Sequence, residues 1–349
     1  VSTALVQAGA PERVVVLRFS SVGDIVLTSP AIAALHTAWP QTEIVYAVRE
    51  GFDGLVRHSP HVHDVIVIGR DEGVVSFARR LRALGFDALL DLHGSLRCRA
   101  LRPLLPRTRR AIWTKRRWQD GLPVRLGLKR WRGGMWLADR FHLAVEELVG
   151  RKLERGRLSY WLGPDDQDRA RERLEAARVC TSEPMVGLSP GAGWPTKRWP
   201  VERFGGLARE LVASGRQVVV SGSPDEYPLC QQIVREAPGA VFVEAKLPIW
   251  AGMISLFDAF VANDSGPMHI ARGLGIPTLA FFGSTDPEQF DFSGHAVLFG
   301  DVPCAPCHFY GRPFCPRLHF RCMKELELDA AQEAVHGLLS APGVRVVHG

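Results

Sequence analysis

No stretch of the 349-residue sequence approaches the roughly 18 to 20 consecutive apolar residues that carry a helix across a bilayer, so a spanning helix is not expected. A secretory leader is not expected either, because the apolar run 14–19 is short, lacks a small-residue cleavage pattern and leads straight into a polar loop. That loop contains neither GxGxxG nor GxxxxGK[ST], which removes the two commonest glycine-rich phosphate signatures from the first strand-to-helix turn. Acidic residues are nearly missing from 97–132, where 13 Lys or Arg stand against Asp120 alone. No nucleic-acid-binding motif accompanies that basic run, so RNA or DNA is not expected as a partner. A cytoplasmic, monomeric protein is the expectation.

What is present is an ordinary globular composition, 46% hydrophobic and 23% charged, in a chain long enough for two domains with separate cores. The net charge of +6 is unevenly divided. Residues 1–165 hold 26 basic against 16 acidic side chains, whereas 166–349 hold 17 against 21. A basic first half favours anionic partners such as phosphorylated saccharides or lipid headgroups. Trp113, Trp118, Trp131 and Trp136, interspersed through or near the basic run, suit either a membrane interface or simple anchoring of a solvated loop.

Short apolar runs at 14–19, 44–48, 65–68 and 88–92 read as strands, with helical patterns near 25–38, 72–84 and 135–149. A polar segment at 163–173 precedes a second series of strands at 185–189, 217–221, 241–243, 259–262 and 278–282. Helices are expected between them near 201–214, 226–236, 248–256 and 267–274. Alternating strands and helices specify an α/β fold with parallel sheets. The expected domains are 1–165 and 175–326, with a final segment 327–349 whose helix packs back on the first domain.

Three loops at strand ends carry the candidate chemistry, since open α/β sheets bind ligands at the carboxyl ends of their strands. In the first, Ser20, Ser21 and Gly23 offer donors and close backbone approach to an anionic group, and Asp24 is either a functional carboxylate or a helix-terminus residue. The second, 189–200, contains Thr196, and its Lys197 and Arg198 offer charge-assisted donors to phosphate; Lys197 is a ligand contact or a solvated charge. In the third, Ser265 and Gly266 at a helix start suit a diphosphate, Asp264 suits loop organisation or a sugar hydroxyl, and His269 is a phosphate donor or a structural histidine. Cys304, Cys307, Cys315 and Cys322 crowd a proline-rich segment and are either ligands of a structural zinc or iron–sulfur cluster, or free or redox-active thiols.

Taken together, SSVGD at 20–24, GAGWPTKRWP at 191–200, NDSGPMHIA at 263–271 and FGSTDP at 282–287 resemble the glycosyltransferase family that contains the lipopolysaccharide heptosyltransferases I and II. The likeness spans nearly the whole chain and includes the C-x-x-C…C-P…C-M segment ending at Met323. It implies the GT-B architecture, two Rossmann-like domains facing across a cleft. The implied reaction moves heptose from ADP-L-glycero-β-D-manno-heptose to the lipopolysaccharide inner core with inversion, without a catalytic metal. The resemblance makes Asp24 the general base and Lys197 the group that stabilises the departing diphosphate. Asp264, Ser265, Gly266 and His269 then lie at the nucleotide diphosphate, and Asp225 or Glu226 at the ribose. Arg97, Arg99, Arg116 and Arg117 become candidates for the anionic, lipid-linked acceptor, with the protein peripheral on the cytoplasmic face of the inner membrane. A related transferase with another nucleotide sugar or acceptor, and a non-catalytic nucleotide-sugar or polyanion-binding module, are the competing readings.

Overall fold

The segment RVVVL places three β-branched residues in a row, a pattern that favours an extended strand buried on both faces. It forms β1 (Arg13–Leu17), in which Val14 to Leu17 are fully buried. The computed structural model describes residues 9–113 and 136–340. These fall into two units, the first made of 9–113 and 136–161 and the second of 162–340.

In the first unit, β1 is joined by β2 (Glu43–Arg49), β3 (Asp64–Ile68), β4 (Ala88–Asp91) and β5 (Arg109–Ile112). All pair in parallel in the order β3-β2-β1-β4-β5. The second unit contains β6 (Met185–Ser189), β7 (Gln217–Val220), β8 (Ala240–Phe242), β9 (Ala259–Asn263), β10 (Thr278–Phe282) and β11 (Ala296–Phe299). Its order is β11-β10-β9-β6-β7-β8, again parallel throughout. Each unit is a doubly wound, Rossmann-like sheet, because strand order reverses at β1/β4 in one and at β6/β9 in the other. The carboxyl ends of those four strands are where such sheets open a ligand crevice.

Each sheet has its own core. Val15, Leu17, Val45, Phe77, Leu81 and Leu89 belong to the first, and Leu188, Trp199, Phe204, Val261 and Phe281 to the second. Full burial of one such side chain contributes about 1.5–3 kcal/mol.

The expected helix over 25–38 is two helices, Val22–Val26 and Ser29–Ala38. Between them the Thr28 hydroxyl donates to the Ile25 carbonyl at 2.7 Å and is hydrogen-bonded to the Tyr46 hydroxyl at 2.8 Å. The polar stretch at the start of the second unit is the helix Asp166–Ala176. Its few apolar residues, Ala170 and Leu174, are four apart, share one face and are buried against the helix Leu247–Ser255. Gly252 permits that approach, since a Cβ there would collide with the Asp166 carbonyl.

The final helix, Leu328–Ser340, packs on the helix Val201–Ala213 and on β9, β10 and β11 of the second unit. Ala331 and Val335 are fully buried in the second core, which holds the helix there by apolar contact.

Candidate active site

The chain leaves β1 through Arg18, and the helix Val22–Val26 presents Asp24 in its first turn, where the helix dipole favours a negative charge. Arg18 is 1% exposed. Its guanidinium forms an ion pair with the Asp24 carboxylate through Oδ2, and its Nη1 donates to the Leu92 carbonyl at 2.7 Å. The rings of Trp113 and Phe141 lie 5.6 and 5.3 Å from its Cζ. The Ser21 hydroxyl donates to the same Asp24 oxygen at 3.1 Å. Ser21 thus orients the carboxylate, while Ser20 is half-buried and Gly23 is buried in the helix turn.

At the neighbouring strand end, buried Asp91 closes the β4 loop by accepting from the N–H groups of His93 and Gly94 at 3.0 and 2.8 Å. The helix Leu96–Leu101 follows, capped by Ser95, and carries the half-buried Arg97 and the exposed Arg99 on this side of the sheet. Arg116 and Arg117 lie outside the described residues.

In the second unit, Lys197 Nζ is 2.7 Å from Asp264 Oδ2, and the Thr285 hydroxyl donates to that oxygen at 2.7 Å. The two members of the pair are 15% and 6% exposed at their side chains. Burial disfavours the Asp264 carboxylate, but Lys197, Thr285 and His269 outweigh it and hold the carboxyl below the usual range. Lys197 is therefore neither solvated nor free-standing; it is a charge fixed by a buried partner. Ser265 precedes the helix Gly266–Gly273, and its hydroxyl is buried with no hydrogen-bond partner among the described residues. An orphaned hydroxyl beside the positive end of a helix is suited to an anion.

His269 is 4% exposed, packs edge-on against Phe290 at 4.8 Å, and has Nδ1 3.4 Å from the Arg272 guanidinium. Arg198, a candidate phosphate donor by sequence, is turned inward: Nε and Nη2 both donate to the Ala192 carbonyl, at 3.0 and 2.8 Å. Glu226 accepts from the Ser223 N–H at 2.9 Å and lies against Gly191, whose missing Cβ its carboxylate would otherwise meet. Asp225 is exposed on the same turn.

Asn263 and Ser284, which have no assigned role in the sequence, help to build this site together with Thr196. Asn263 accepts from the Trp199 N–H at 2.9 Å and donates to the Pro190 carbonyl at 2.7 Å, tying the Lys197 loop to the end of β9. Thr196 bridges to Arg312, donating to its carbonyl at 2.9 Å and accepting from its N–H at 2.8 Å. Ser284 adds a 3.2 Å bond to Thr196, and its carbonyl receives the Cys307 and His308 N–H groups.

The cysteine segment is thus a brace behind Lys197. Among the described residues no three His, Cys, Asp or Glu side chains are grouped to hold a metal ion, so the zinc or iron–sulfur alternative for Cys304, Cys307, Cys315 and Cys322 gains no support. Cys304 Sγ instead lies 3.6 Å from His319 Nε2, and all four cysteines are free of disulfides. No helix among the described residues is long and apolar enough to cross a membrane.

The model of glycosyltransferase family 9 (heptosyltransferase) matches residues 74–312. Lipopolysaccharide heptosyltransferase 1 of Pseudomonas aeruginosa is 29% identical over 324 residues, covering 84% of this chain and 86% of that protein. Among solved structures, a family 9 glycosyltransferase from Veillonella parvula superposes with a TM-score of 0.76 at 20% identity, covering 94% of this chain and 97% of that one. An E. coli ADP-heptose lipopolysaccharide heptosyltransferase II superposes with a TM-score of 0.72 at 19% identity, covering 94% and 98%. The fold is that of these two-domain transferases, and with the strand-end loops it agrees with the family match: the chain belongs to glycosyltransferase family 9, the heptosyltransferase family, and is a glycosyltransferase.

Proposed function

We propose that the enzyme transfers heptose from ADP-L-glycero-β-D-manno-heptose to a lipopolysaccharide inner-core acceptor, with inversion at the anomeric carbon. The observation that carries this reading is the buried Lys197–Asp264 pair beside the orphaned Ser265 hydroxyl and a helix N-terminus, a preformed seat for a diphosphate. The names of the relatives supply the sugar and the acceptor class.

In the reaction, the acceptor hydroxyl attacks the anomeric carbon while its proton passes to the Asp24 carboxylate. The bond from that carbon to the diphosphate oxygen breaks, and attack from the opposite face inverts the centre. Negative charge then grows on the leaving diphosphate, where Lys197, Ser265, the first N–H groups of Gly266–Gly273 and the His269 ring stabilise it. Asp264 carries the wrong sign to touch phosphate and acts by fixing the Lys197 ammonium with Thr285. Glu226, beside Gly191, is the ribose partner in this reading, with Asp225 at the rim. Arg97 and Arg99 meet the anionic acceptor, and an acceptor anchored in lipid places turnover at the cytoplasmic face of the inner membrane.

Incubation with ADP-heptose and either heptose-free or mono-heptosylated lipid A core, followed by mass spectrometry, tests the proposal. Addition of one heptose to either acceptor supports it and assigns the step. Consumption of the donor with another acceptor, or no transfer at all, contradicts it.

A further inference from the structure

Charged side chains are rarely buried without a partner, because desolvation of an unpaired ion is costly. Arg18 is 1% exposed directly after the four buried apolar residues Val14 to Leu17, and its ion-pair partner is Asp24. Two aromatic faces, Trp113 beyond β5 and Phe141 in the helix Leu137–Val149, flank the guanidinium. Its second anchor is the Leu92 carbonyl at the end of β4. One planar cation therefore joins the β1 loop, the β4 loop and the carboxylate of the first helix.

We propose that Arg18 is a positioning residue for the transfer reaction: it fixes the Asp24 carboxylate through Oδ2 and keeps it ionised at low pH. This rests on the proposed role of Asp24 as base. Arg18 and Ser21 both address Oδ2, so they orient the carboxylate as a rigid group. Guanidinium geometry matters here, since a planar fork reaches the carboxylate and the Leu92 carbonyl at once, while an ammonium is a point charge.

Other titratable groups stand around the pair. Tyr46 on β2 faces the pair, but burial pushes its hydroxyl far above the usual range, so it stays neutral. On the β4 side, Asp91 is engaged by backbone N–H groups with Arg102 3.7 Å away, and the His93 ring lies 5.4 Å from Phe19.

The test uses the full chain with Arg18→Met and Arg18→Lys. Two readouts are taken: the pH dependence of kcat/KM for transfer, and the titration of the Asp24 carboxyl followed by 13C NMR of aspartate-labelled protein, assigned with Asp24→Asn. In Arg18→Met the acid limb and the Asp24 midpoint should both move up by about 1 unit or more, the range of an aspartate losing an adjacent arginine. Donor KM should remain near wild type. Arg18→Lys should keep the acid limb in place yet lower the plateau kcat, a separation that a purely structural role would not produce.

Coincident limbs and midpoints in wild type and Arg18→Met would overturn the proposal. Should Arg18→Met fail to fold, Arg18→Lys decides: unchanged plateau kcat overturns it, and a lowered plateau with an unmoved limb supports it. If wild type transfers nothing, the proposed function fails, while the NMR titration still shows whether Arg18 controls Asp24.

Discussion

Replacing Lys197 by Met removes the ammonium but keeps an apolar stem of similar length, leaving the buried Asp264 carboxylate with Thr285 as its remaining close donor in the ion-pair cluster. Removal of one partner from a buried ion pair costs about 3–5 kcal/mol; the 15% exposure of Lys197 places this pair at the low end, about 3 kcal/mol. For a unit the size of 162–340, each kcal/mol lowers Tm by about 2–4 °C, so the second unit should melt roughly 6–12 °C earlier. Asp264→Asn in the same background removes the stranded charge while keeping a partner for Thr285. The double variant should therefore recover most of the loss. Differential scanning calorimetry of wild type, both single variants and the double variant closes the cycle. A Lys197→Met protein that melts with wild type, or a double variant no more stable than Lys197→Met, refutes the buried-pair reasoning.

Other consequences follow from the same geometry. The depressed Asp264 carboxyl contributes stability that is fully present above about pH 4 and lost as pH falls through its folded value, so urea midpoints of wild type should drop over that range more steeply than those of Asp264→Asn. His295 is pushed down to about 4 by burial and by Arg272, with Asp291 opposing. Its neutral form is favoured on folding, so stability should fall as pH drops from about 6.5 to about 4, and His295→Phe should flatten that portion of the curve. Gly252→Ala should destabilise the second unit by about 1–3 kcal/mol in urea unfolding, because the obstacle is the Asp166 backbone. Trp199→Phe preserves an aromatic ring against Phe281, stacked at 4.2 Å, but loses the indole donor to the Leu326 carbonyl, and should cost about 1–3 kcal/mol.

The strands that flank the ligand crevices were legible because they are buried on both faces and read as continuous apolar runs: β1, β4, β6 and β9 all fall where expected. The outermost strands β5 and β11 escaped for opposite reasons. The first is RRAI, with one fully buried side chain, whereas the second, AVLF, is only half-buried and has no periodicity that distinguishes a strand from a core turn. The Asp166–Ala176 helix hid its two buried apolar residues among charges. At the candidate site, loop position pointed to Asp24, Lys197 and Ser265 as candidates, but not to the tertiary bonds around them. Arg18 did leave a signal: an arginine directly after a run of four apolar residues needs an anion, and Asp24 follows six residues later. Arg198 left none, since an inward-facing arginine and a phosphate-facing one look alike in GAGWPTKRWP.

The central claim is that Asp24 takes the acceptor proton while the Lys197 and Asp264 loops hold the donor diphosphate. Its most direct test measures transfer to the lipid A core and ADP affinity side by side in wild type and Asp24→Asn. The account predicts that kcat falls by about 100-fold or more, the scale of a lost general base, while ADP binds as it does to wild type. Asp24→Asn turning over at the wild-type rate would contradict it.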